Sequence, residues 1–157
     1  MKPIIITIPA TKLIGKKIKM SFDNNRTFEL WSGFMPRRKE IQNAISNDLY
    51  SLQVYEDDVQ FSPQTQFTKW ALVPVTDFNE VPKDMEPFVL EGGLYAVFPY
   101  KGLAADFEKM FRYIFFDWLP NSDYELDNRP HFEILGAKYL KDNPNSEEDI
   151  YVPIKLK

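Results

Sequence analysis

Two strand-like segments of this chain repeat one another about half a chain length apart, and this repeat constrains the fold more than any other feature. Sliding "KWALVPV" against "EDIYVPI" places Pro74 over Pro153, an offset of 79 residues in a chain of 157. The surrounding elements recur in the same order in both halves: a strand, an amphipathic helix and two further strands. The sequence therefore predicts one domain built from two βαββ units, roughly residues 1–80 and 86–157.

One helix is predicted in each unit. Apolar residues recur at three-to-four spacing over Phe28–Ile45, and Pro36 within that pattern predicts a kink near Met35. The second helix is expected over Ala104–Trp118, where a following proline prevents its continuation. Its aromatic residues are expected to be mainly core, with Trp118 also lining a pocket.

Two such units joined edge to edge predict an α+β fold, a mostly antiparallel sheet with both helices on one face and a central ligand groove. Because side chains alternate along a strand, Asp149, Tyr151 and Pro153 share one face, and the aliphatic residues between them share the other. The aliphatic set is expected to pack under the helices. Asp149 and Tyr151, with Trp70 across the pseudo-twofold axis, would then face an open groove on the helix-free face.

A carboxylate among aromatic side chains is suited to binding a lipophilic cation. Charge pairing supplies one contribution, and cation–π contact adds about 0.5–2 kcal/mol. The alternative is that Asp149 is a solvated residue at a strand end and that the aromatic residues belong to the core. The sequence pattern alone leaves both interpretations open.

Composition argues against several other functions. The net charge is −4 and the pI is about 5.1, whereas nucleic-acid-binding modules carry a basic face, so no direct nucleic-acid partner is expected. The basic segment "PRRKE" is interpreted as a solvated helix face. No apolar run approaches the roughly 18 residues of a membrane span, so we expect a cytoplasmic protein with no membrane partner.

Metal, cofactor and nucleophilic chemistry also have few candidate residues. The chain has no cysteine and one histidine, His131, which is interpreted as a strand-edge side chain. No Ser–His or Cys–His arrangement is expected, and no phosphate-binding loop pattern surrounds Gly92 and Gly93. We therefore expect no metal, no cofactor and no catalytic residue of these types.

Several segments resemble the GyrI-like small-molecule-binding family. They are "GGLYAVFPYKG", "YIFFDWLPNSDYELDNRPHFEIL" and "DIYVPIK", together with "LIGKKIKMSF", "FMPRRKEI", "DLYSLQVY" and "KWALVPVTDF", and they span nearly the whole chain. The family includes the effector-binding domains of AraC-type and MerR-type bacterial transcription activators. The resemblance implies the duplicated βαββ fold, with a central cavity that in several members binds lipophilic or cationic compounds.

The resemblance also implies a pocket carboxylate. Family members commonly carry a glutamate just before the strand that "IYVPI" forms here, and the matching position is Asp149, one methylene shorter. Glu148 stands beside it and would take this role in a different register. The predicted ligand-binding residues are Asp149, Trp70, Tyr151, Glu148 and Trp118.

The first strand follows Met1 almost at once, so we expect a stand-alone effector-binding module rather than a regulator with its own helix-turn-helix. The leading hypothesis is a sensor that binds lipophilic, cationic small molecules, as multidrug-binding regulators do. Two alternatives stay open. The first is inhibition of a partner enzyme through protein contact, as the gyrase-inhibiting namesake of the family does. The second is carboxylate-dependent hydrolysis of strained ring compounds by Asp149 or Glu148.

Overall fold

The computed structural model describes residues 2–157, and strands form most of their regular structure. The strands β1 to β9 span Ile4–Ile8, Thr11–Ser21, Leu49–Val54, Gln66–Pro74, Glu86–Leu90, Gly93–Lys101, Tyr124–Leu126, His131–Leu135 and Glu147–Leu156. Helix α1 spans Thr27–Phe34 and continues as a 3₁₀ turn over Met35–Glu40. Helix α2 spans Phe107–Arg112, between a 3₁₀ turn over Ala104–Asp106 and a π-helical turn over Tyr113–Trp118.

The first helix changes character where the sequence predicted a kink. The α-helical pattern gives way to a 3₁₀ turn at Met35, because the Pro36 ring cannot follow a full α-helical turn and lacks an N–H donor. The 3₁₀ turn ends at Glu40, so the helical segment is shorter than the predicted Phe28–Ile45. The second helical segment occupies Ala104–Trp118 as predicted, but three helix types follow one another within it.

The strands form one antiparallel sheet in the order β5-β2-β4-β3-β8-β9-β6-β1, with β7 paired to the far end of β9. This is the predicted α+β fold of two βαββ units, and the β3–β8 pair joins the two halves at the centre. The outermost strands are exchanged between the halves. Strand β1 pairs with β6 of the second half, and β5 pairs with β2 of the first half.

Both helices cover the same face of the sheet, each over its own half. In the first half, Ala71 and Val73 of β4 pack in the core that contains Leu30 and Phe34 of α1. In the second half, the aliphatic residues of β9 pack in the core that contains Ile114 of α2. The predicted alternation is therefore confirmed, with the purely aliphatic side of "IYVPI" under a helix.

The helix-free face differs from the expected open groove, because apolar side chains fill it. Leu13 of β2, Leu72 of β4 and Tyr95 of β6 are fully buried in one cluster on this face. The connections β1–β2 and β5–β6 also touch, since a Cβ on Gly92 would lie 2.6 Å from the Ile8 carbonyl oxygen. The sheet therefore curls toward the helix-free side and closes a core there, so space for a ligand must lie elsewhere.

Gly15 was predicted to mark a bulge or bend in β2. The ladder between β2 and β4 instead runs through it without a break, with Gly15 opposite Leu72. A Cβ at this position would lie 1.8 Å from the Ala71 carbonyl oxygen, so glycine permits a close approach of two backbones. Among the described residues, no helix has the length and apolar character needed to cross a membrane.

Candidate ligand-binding cleft

Four polar side chains lie on the helix-bearing face between the two helix-covered cores. They come from the four central strands in spatial order: Lys69 on β4, Gln53 on β3, Glu133 on β8 and Glu148 on β9. The strand registers place them close together. Gln53 is directly opposite Lys69, whereas Gln53 and Glu133, and Glu133 and Glu148, are diagonal neighbours. We call these four residues the central polar cluster.

Gln53 joins the positive and negative members of this cluster. With its amide oriented to match its neighbours, Lys69 Nζ donates to Gln53 Oε1 at 2.9 Å, and Gln53 Nε2 donates to Glu133 Oε2 at 3.2 Å. The same Nε2 lies 3.3 Å from the main-chain oxygen of His131. The side chain of Gln53 is buried and satisfied, and it holds Lys69 and Glu133 in fixed positions on the sheet.

The three charged members keep contact with solvent although protein surrounds them. Lys69, Glu133 and Glu148 are each partly exposed, but the surrounding protein is dense enough for desolvation to dominate the pKa shift of all three. Partial exposure within dense surroundings is what the floor of a cleft provides. These charged groups can therefore meet a ligand directly.

Burial and mutual charge set the ionisation of the cluster. Burial raises the pKa of Glu148 to about 7, and repulsion from Glu133 adds to this rise while Lys69 opposes it. Burial also raises the pKa of Glu133, against the attraction of Lys69 and the hydrogen bond from Gln53. The pKa of Lys69 is lowered by burial, against the attraction of both glutamates. The cleft floor thus holds more acidic than basic groups, and an added cation would favour ionised carboxylates.

An aromatic wall continues from the central polar cluster along the same strands. Tyr55, Phe67 and His131 each lie two residues from a cluster member, and the β3–β4 loop, α2 and the end of β2 add further rings. Neighbouring ring centroids in the wall are 4.6 to 6.5 Å apart. Its members are Phe22, Tyr55, Phe61, Phe67, Phe111, Phe115 and His131. Because Phe22 is 39% exposed, the wall extends from the cleft floor to the molecular surface.

His131 belongs to this wall and is not the strand-edge side chain that the sequence suggested. Its ring is buried against Tyr55, with centroids 4.8 Å apart, and against Phe61 and Phe115. Burial lowers the pKa of His131 to about 3, so the imidazole is neutral at physiological pH. Within residues 2–157, no three His, Cys, Asp or Glu side chains converge as a metal site requires.

The family of the chain follows from a match that covers almost all of it. Residues 1–155 match the GyrI-like small molecule binding domain. The chain belongs to this GyrI-like family. The GyrI-like chain is also 27% identical over 152 residues to the transcriptional regulator BrlR of Pseudomonas aeruginosa, covering 96% of this chain and 54% of BrlR. It therefore spans about half the length of that relative.

Solved structures share the fold of this GyrI-like domain at low sequence identity. The EcmrR C-terminal domain superposes with a TM-score of 0.76 at 12% identity, covering 99% of this chain and 98% of that one. SAV2435 bound to tetraphenylphosphonium superposes with a TM-score of 0.67 at 18% identity, covering 99% of this chain and 94% of that one. These similarities show that the duplicated fold is shared over the full length of the GyrI-like domain.

The five predicted site residues lie in three different places in the GyrI-like domain. Trp70, 6% exposed, packs on Phe88 on the helix-free face. Tyr151 is half-buried on the same face and stacks on Phe132, with centroids 4.4 Å apart. Asp149 is exposed on that face. Trp118 is partly buried over Phe98 in the second helix-covered core, and Glu148 alone of the five belongs to the central polar cluster.

Lys69, Gln53 and Glu133 were missed, although the repeat contains a signal for them. The same offset of 79 residues that places Pro74 over Pro153 also places Lys69 over Glu148. At the centre of the sheet Leu52 is opposite Phe132, and the corresponding offset of 80 residues places Gln53 over Glu133. Polar residues at equivalent positions on the aliphatic face of both halves would have indicated a shared polar site.

Proposed function

We propose that this GyrI-like domain binds lipophilic cations in the cleft above the central polar cluster. One observation carries the proposal: the partly exposed carboxylates of Glu133 and Glu148 lie beside the aromatic wall on the same sheet face. The carboxylates supply negative charge in a desolvated setting, and the rings supply apolar area and cation–π attraction of about 0.5–2 kcal/mol. SAV2435, which shares the fold, is described as bound to tetraphenylphosphonium, a cation of this class.

We further propose that ligand occupancy is the signal that this domain conveys. The wall contains Phe111 and Phe115 of α2 together with Phe22 and Phe67 from the first half of the chain, so a ligand against it touches both halves. In a regulator like BrlR, such a domain would detect the compound in the cytoplasm and pass the change to its partner. A net charge of −4 disfavours direct DNA contact by these residues.

Isothermal titration with tetraphenylphosphonium tests the proposal. We expect saturable binding at one site per chain, with affinity that falls only modestly as salt is raised, because the charge pairing is partly buried. Triphenylphosphine oxide, which keeps three of the four rings but has no net charge, should bind much more weakly. Equal affinity for the two compounds, or no saturable binding of either, would contradict the proposal.

Carboxylate-dependent hydrolysis is a second candidate, and the Glu133–Glu148 pair favours it. Two neighbouring carboxyl groups, one with its pKa raised to about 7, can share the roles of general acid and general base. Mass spectrometry of bound compounds that contain strained rings would decide between binding and turnover. Product that accumulates with time and disappears in Glu148→Gln would establish hydrolysis, whereas unchanged compound would leave binding as the function.

A further inference from the structure

Lys69 occupies the position in the first half that Glu148 occupies in the second. The two residues are related by the repeat offset, and both project from the helix-bearing face of the strand next to the central β3–β8 pair. Gln53 and Glu133 are related in the same way across that pair. The duplicated fold therefore presents equivalent positions with different charges: a cation and an amide in one half, and two carboxylates in the other.

This arrangement gives the cleft floor a charge gradient. Across the sheet the order is Lys69, Gln53, Glu133 and Glu148, and the outer two strands are three strand spacings apart, about 14 Å. Gln53 fixes the middle of the series through its bonds to Lys69 and Glu133. Since Lys69 keeps partial solvent access, its ammonium group has capacity for a further acceptor, because it carries three donors.

We propose that Lys69 is a specificity-determining residue that selects amphoteric ligands. The ligand would carry a lipophilic cationic group at the Glu133–Glu148 end of the cleft and a carboxylate or similar anionic group at the Lys69 end. This inference rests on the proposed binding of lipophilic cations in the same cleft and adds the second half of the ligand. A ligand with only a cation leaves Lys69 as an uncompensated positive charge near it, whereas an amphoteric ligand pairs with both ends.

The test compares triphenylphosphonium compounds that carry carboxybutyl, carboxyhexyl or carboxydecyl chains with their methyl esters. Each ester keeps the cation, the rings and nearly the same length but lacks the anionic group. By calorimetry, the wild-type protein should prefer the acid over its ester by about tenfold to hundredfold for at least one chain length, the range expected for one charge-assisted hydrogen bond. Lys69→Met should abolish that preference and bind the esters more tightly, and Lys69→Arg should retain the preference.

The outcomes separate this inference from the proposed function. If the esters bind but the acid shows no advantage at any chain length, or if Lys69→Met keeps the wild-type ratio, the role of Lys69 is overturned while cation binding stands. If neither acids nor esters bind, the proposed function itself fails. Should Lys69→Met not fold, Lys69→Met combined with Glu133→Gln removes one charge of each sign, and loss of the acid preference in that variant supports the inference equally.

Discussion

Glu148 and Asp149 are neighbours in β9, and their side chains lie on opposite faces of the sheet. Glu148 is opposite Tyr100 on the helix-bearing face, whereas Asp149 is opposite Pro99 on the other face and is exposed. A shift of one residue in the alignment of this strand exchanges the two carboxylates between cleft and solvent. The identity of the ligand carboxylate is therefore a question of strand register, and adjacent substitutions can answer it.

The first prediction uses these two carboxylates as a matched pair. Glu148→Gln should weaken binding of tetraphenylphosphonium by roughly tenfold to hundredfold, because it removes a partly desolvated charge beside the ligand. Asp149→Asn should change the affinity by less than about twofold, because solvent screens an exposed carboxylate. Calorimetry on both variants at equal melting temperature measures the difference. The reverse order would place the ligand at the helix-free face, as the sequence alone suggested.

The second prediction concerns the pH dependence of binding. Because the pKa of Glu148 is raised to about 7, protons compete with a cationic ligand for this carboxylate near neutral pH. Affinity for tetraphenylphosphonium, which does not titrate, should rise from about pH 6 to about pH 8 and then level off. Glu133, Lys69 and Tyr100 face the same carboxylate, so Glu148→Gln is the control that isolates its contribution. An equally steep rise in that variant would show that another group is responsible.

The third prediction links the same group to folding stability. The pKa of Glu148 is higher in the folded protein than in the unfolded chain, so its contribution is fully present below the unfolded value, about 4.5, and is lost as pH rises through about 7. Glu148→Gln should therefore raise the free energy of unfolding at pH 8 by about 1–2 kcal/mol, less than the full pKa difference would give because water reaches the carboxylate. Urea denaturation of both proteins at pH 5 and pH 8 measures this. A variant less stable than wild type at pH 8 would contradict it.

The fourth prediction compares two glycines. Gly15→Ala should destabilise the protein by at least about 2–3 kcal/mol, because the new Cβ would lie 1.8 Å from the Ala71 carbonyl oxygen and force β2 away from β4. Gly33→Ala, within α1, should stabilise it by about 0.5–1 kcal/mol, since no atom lies within 4 Å of its Cβ position and alanine favours helix. Thermal denaturation of both variants gives the comparison. Similar stabilities for the two would show that the strands separate at little cost.

The sequence predicts the fold well because the repeat is local in kind. Alternation in "IYVPI" and helical spacing on both sides of Pro36 depend on neighbouring residues, so the element order and the helix-bearing face follow from them. Burial of Trp70 follows from the curl of the whole sheet, which brings β2, β5 and β6 together over the helix-free face. That curvature involves residues far apart in the chain, and no short pattern encodes it. Local chemistry therefore suggested a groove around Trp70 where long-range packing formed a core.

The same distinction explains what could be predicted of the cleft. Glu148 was one of two candidates because it adjoins the "IYVPI" strand, but the choice between it and Asp149 depends on the register with β6 and β8. Lys69 resembles an ordinary surface residue in "FTKWALV", since strands commonly carry lysine on a solvated face. Its position in the cleft follows only when the two halves are superimposed by their offset.

The exchange of outer strands between the halves has a consequence for synthesis of the protein on the ribosome. Strand β1 is made first, but its partner in the sheet is β6, Gly93–Lys101. The apolar segment Ile4–Ile8 must therefore wait without its partner while more than half of the chain emerges, and contacts so distant in sequence form slowly. We expect nascent chains that end before β6 to expose this segment to chaperones and aggregation, so the first half of the duplication cannot mature by itself during translation.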